Sequence, residues 1–97
     1  MNRHEAAVLL ERLAIGDEGD HARRNVESIL ENPAVAGVMF RAAEDLLTEQ
    51  LVEEAIVLSL VRRHDPELLQ PTLDRVVAVA GRLAEVRDAG DLLGVRS

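Results

Sequence analysis

The chain has 97 residues, 47% of them hydrophobic and 30% charged, with a formal charge of -7 at neutral pH. That length predicts one helical domain over 1–97 with a single core, and the apolar fraction is too high for a disordered tail. The absence of cysteine excludes a disulfide framework, a zinc-thiolate site and a thiol nucleophile, and no apolar run approaches the ~20 residues of a membrane span.

The periodicity is helical from end to end. Ala6, Leu9, Leu10, Leu13 and Ala14 form a stripe that predicts a helix over about 3–15, with Asn2 as its N-cap and Gly16 as its terminator. After the acidic loop at 16–19, Asp20 caps a second helix running to about Glu31, with Ala22, Val26, Ile29 and Leu30 on its buried side. Asn32-Pro33 supplies a cap followed by proline at the first helical position, so a third helix starts there and runs to about Leu47. Thr48 reads as the cap of a fourth helix over 49–63, and Asp65-Pro66 repeats the cap-plus-proline signal.

Pro71 would remove a hydrogen bond from a helix begun at Pro66, so a single turn over 66–69 precedes the last helix. Leu73, Val76, Val77, Ala80, Leu83 and Ala84 hold that helix in phase across Gly81 to about Ala89. Leu92, Leu93 and Val95 then supply a short docking segment. The expected fold is therefore all-α, a compact five- or six-helix bundle around a central apolar hairpin formed by 33–47 and 49–63. Residues 34–40 and 55–61 are apolar on nearly every side, so this hairpin needs cover all round, from the outer helices or on one face from another chain.

Chemistry is sparse. All eleven basic residues are arginine, which removes lysine general-base and Schiff-base mechanisms. Glu18 and His21 have the Glu-x-x-His spacing of di-iron bundles, but the motif occurs once, where such sites need two copies and further carboxylates. His64 follows Arg62 and Arg63 at a helix C-terminus, where the dipole favours cations. Of the candidate nucleophiles Ser28, Ser59, Thr48 and Thr72, Ser59 lies in the most apolar run and is expected to bond back to a helix carbonyl, Thr48 reads as a cap, and Ser28 has no histidine or lysine at an activating spacing. No nucleophile elbow, phosphate loop or zinc motif is present. The reading is a non-enzyme with no cofactor and no metal. Phe40 is the only aromatic residue and the net charge is acidic, so the positive field and stacking platforms of nucleic-acid binders are both missing. The first residues lead straight into an amphipathic stretch without a signal-peptide pattern, and the expected compartment is the cytoplasm.

Charge distribution remains. Five acids (Glu44, Asp45, Glu49, Glu53 and Glu54) straddle the expected turn at Leu47–Thr48 with no base among them. Against them stand the doublets Arg23-Arg24 and Arg62-Arg63, and Arg75 and Arg82, seven apart on the last helix. These are the candidate interface residues. Opposed patches of this kind set partner choice and encounter rate more than raw affinity. They predict a protein partner or self-association, with the acidic turn of one molecule meeting the arginines of another head to tail. The alternative is a small acidic regulator (an antitoxin, immunity protein or phage-encoded inhibitor) that blocks a basic surface on a target.

Three stretches carry a family resemblance. They are Leu46 through Thr48-Glu49-Gln50 to Ile56, Val61-Arg62-Arg63-His64-Asp65-Pro66-Glu67-Leu68, and Ala89-Gly90-Asp91-Leu92-Leu93. Together they resemble the death-fold superfamily, in particular caspase-recruitment-like modules, over about half the chain. The resemblance implies an adaptor that recruits an effector by like-with-like or partner-domain assembly, as in immune and bacterial defence systems.

Overall fold

The first helix forms where its stripe and cap place it. The computed structural model describes residues 1–15 and 25–96, and in it α1 spans Arg3–Ile15, with the Asn2 side-chain oxygen accepting from the Glu5 N–H at 2.8 Å. Helix α2 covers Val26–Glu31, and the Asp20 cap and Ala22 expected for it lie outside the described residues. Asn32 then caps α3, its side-chain oxygen accepting from the Ala34 N–H at 3.0 Å, with Pro33 in the first turn where no backbone donor is needed.

The expected break at Thr48 is absent. Helix α3 is a single helix of 32 residues, Pro33–His64, so the hairpin of 33–47 and 49–63 is overturned. Thr48 is exposed within it, and the inward residues Ala36, Phe40, Ala43, Leu47, Leu51, Glu54, Leu58 and Val61 continue three or four apart across that position. Glu, Gln and Leu around residue 48 are strong helix formers, and a lone threonine without glycine or proline does not end a helix. The chain turns back after Asp65 through a 3₁₀ turn at Pro66–Leu68, as the two prolines predict, and enters α4, Leu69–Leu93. Pro71 sits in the first turn of α4, where the missing N–H has no intrahelical acceptor in any case. Helix α4 passes through Gly81 and takes in residues 90–93. Gly94, at φ 72°, ends it in the left-handed conformation.

Four α-helices and no strand are present among the described residues, in place of the five or six helices expected. The molecule measures 49 × 30 × 20 Å, and a 32-residue helix is about 48 Å long, so α3 alone spans the long axis. The bundle is elongated rather than compact. Helices α3 and α4 run antiparallel, and α1 lies against both, with α2 tucked between α1 and α3. Every buried hydrophobic of α3 lies at or before Leu47 and every one of α4 at or after Val79. With Ala6, Ala7 and Leu10 of α1 and Val26 and Ile29 of α2, these form a base with a core around Phe40. Beyond it, residues 48–78 project as a two-helix arm whose only cover among the described residues is one helix on the other.

Candidate functional site

The structure splits the acidic cluster. With no turn at residue 48, the five acids lie along one helix and their side chains go to different faces. Glu44 and Glu54 point toward α4, where Glu44 pairs with Arg87 at 3.4 Å and Glu54 with Arg75 at 3.3 Å. Arg75 also donates to the Thr72 hydroxyl at 3.3 Å, and that hydroxyl donates to the Leu68 carbonyl at 2.7 Å. This chain of contacts ties the outer part of the arm together. Both ion pairs are largely solvated, and each contributes only ~0.2–1 kcal/mol. Arg75 is thereby turned toward α3, and Arg82 stands exposed on α4 without an ion pair among the described residues.

Asp45, Glu49 and Glu53 remain exposed, away from α4. Arg62 and Arg63 are exposed in the last turn of α3, and neither forms an ion pair among the described residues. Arg23 and Arg24 lie outside the described residues, as do Glu18 and His21.

Between the outward acids and the outward arginines lies the feature that charge alone did not reveal. Val52, Ile56 and Leu60 are 54%, 57% and 52% exposed, and their four-residue spacing puts them on one face of α3, opposite α4. The signal was the run 55–61, apolar on all sides. Helix α4 covers one side of it, through Leu58 and Val61, and nothing among the described residues covers the other. The outer face continues toward the base through Val38, Ala42 and Asp45, all exposed.

An open groove of about 760 Å³ lies at the base, lined in part by Phe40, Arg41, Glu44, Arg87 and Arg96. Its charged lining is three arginines and one carboxylate already paired to Arg87. No group of three histidines or carboxylates among the described residues could hold a metal ion. Among the described residues, the one titratable group displaced from its ordinary value is Glu11 of α1, which is 1% exposed and lies outside that groove. Burial pushes its carboxyl up, and the Asn25 backbone draws it back in part. No described helix is long and apolar enough to cross a membrane. Comparison with protein-family models, with curated proteins and with solved structures finds no match.

Proposed function

We propose that the protein is a non-catalytic interaction module whose working surface is the outer face of α3 along the arm. The observation that carries this reading is the row Val52, Ile56 and Leu60, each more than half exposed, on a helix whose other side packs on α4. Single exposed apolar residues need no explanation, but a row of them rimmed by charge is the character of a protein-binding face. Helices placed only to fill a core would not leave that row in water. Assembly through such a face belongs to the class that the resemblance to caspase-recruitment-like modules implies. An acidic regulator acting through Asp45, Glu49 and Glu53 alone would have no use for the apolar row between them and Arg63.

Because the chain has no cysteine, a single Ile56→Cys variant reports on this face directly. Its maleimide labelling is compared between dilute purified protein and a concentrated lysate of the source cells, with Ser28→Cys on α2 as the reference. The expected result is slowed labelling at position 56 and unchanged labelling at position 28. Equal rates at position 56 in the two settings overturn the reading.

A further inference from the structure

We propose that the occupant of this face is a second copy of the same chain, laid antiparallel along α3 with a two-fold axis at Ile56; this rests on the reading of that face as an interaction surface. Along the outer face the order is Glu49, Val52, Ile56, Leu60, Arg63, all exposed and three or four residues apart. Val52 and Leu60 each lie four residues from Ile56, and Glu49 and Arg63 each lie seven. The row is thus apolar-symmetric and charge-antisymmetric about Ile56. A reversed copy sets Ile56 beside Ile56, Val52 beside Leu60, and Glu49 beside Arg63 at both ends. Those two ion pairs fall about 10 Å along the helix on either side of the axis.

A parallel copy would instead oppose Glu49 to Glu49 and Arg63 to Arg63. The face is therefore complementary to itself in one orientation only. Glu44 and Glu54 are engaged within the chain by Arg87 and Arg75, which leaves Glu49 and Arg63 as the charges that flank the apolar row at its two ends, with Asp45 one turn further toward the base. The approach is clear, since Val38, Ala42 and Asp45 are exposed on the same face where the partner's hairpin tip would lie. Such an interface uses one patch on both molecules and closes at two copies, whereas the head-to-tail contact expected from charge alone would extend into open filaments.

The test is sedimentation equilibrium of the purified full chain at low salt, with helicity followed by circular dichroism. The wild type is expected to dimerise. Glu49→Arg and Arg63→Glu are each expected to weaken the dimer about tenfold or more with helicity unchanged, and Glu49→Arg combined with Arg63→Glu to restore it. Orientation is read from cysteine crosslinking: Glu49→Cys chains mixed with Arg63→Cys chains form the mixed disulfide, and neither variant alone forms its own. A wild type that stays monomeric, a double reversal that does not restore association, or efficient self-crosslinking of Glu49→Cys overturns the proposal. If the purified chain is monomeric while position 56 is protected in the lysate, the second copy is refuted and the interaction surface stands. Loss of both refutes both.

Discussion

Gly90 of α4 packs directly under the ring of Phe40 of α3: a Cβ at position 90 would stand 2.6 Å from Cε2 and 2.8 Å from Cδ2. The ring is the largest side chain in the core of the base, and the missing Cβ is what lets α4 approach it. Gly81, nine residues earlier on the same helix, has nothing within 4 Å of the corresponding position. The two glycines therefore separate cleanly. Gly81→Ala is expected to stabilise by up to about 1 kcal/mol through helix propensity alone. Gly90→Ala gains the same propensity but forces the ring aside, and overpacking of ~1–3 kcal/mol outweighs it. Thermal melts should move in opposite directions, and a Gly90→Ala protein as stable as Gly81→Ala would refute the contact.

Thr48 separates the two readings of residues 33–64. As a cap, its replacement by alanine would cost about 1 kcal/mol. In the interior of α3, exposed and with no side-chain hydrogen bond among the described residues, Thr48→Ala exchanges a β-branched residue for the best helix former and should stabilise by roughly 0.5 kcal/mol. Denaturant midpoints decide the sign.

Sequence punctuation was legible wherever it rested on backbone chemistry. Asn2 and Asn32 cap their helices and Pro33 and Pro66 open elements as their φ preferences require, whereas Asp65 stands between α3 and the 3₁₀ turn without a side-chain capping bond. Thr48 was not legible because threonine is a weaker punctuator than proline or glycine, and only tertiary phase told the two cases apart. The expected buried stripe of α4 includes Val77 and Ala80, yet both are exposed, Val77 at 68%, while Thr72, Val79 and Val86 are buried along with the expected Leu83. With alanine and valine on most sides of that helix, hydropathy has little power to fix rotation. At the candidate site, sequence named the charged residues but not their division into those engaged within the chain and those facing outward. That division depends on which face meets α4, and so on a 32-residue helix in place of two short ones.

Thr72 holds the arm at its turn. It is fully buried, donates to the Leu68 carbonyl and accepts from Arg75, which in turn reaches Glu54. Thr72→Val keeps the shape and removes both hydrogen bonds, and is expected to cost about 0.5–1.5 kcal/mol. Hydrogen exchange should rise mainly in residues 66–76 and leave the base unchanged; a uniform rise would mean that the arm and base unfold as one.

Glu11 makes stability depend on pH in a direction opposite to that of a paired carboxylate. It is 1% exposed, and neither carboxylate oxygen makes a hydrogen bond of good geometry among the described residues. Burial raises the carboxyl above its ordinary value of 4.5, with the Asn25 backbone opposing in part. Below that ordinary value the group is protonated in both the folded and the unfolded chain and contributes no pH dependence. Between the ordinary and the raised value the folded chain keeps a proton that the unfolded chain releases, so stability falls as pH rises through this window. Above the raised value the folded chain carries a buried charge, and the loss is complete. Glu11→Gln has nearly the same shape and no charge to bury. Its melting temperature should therefore exceed that of the wild type at pH 7, and the difference should close as pH is lowered toward 4.5. A difference that stays constant across that range, or a wild type that is the more stable at pH 7, would show that the ionised carboxylate is held by a partner and not merely buried.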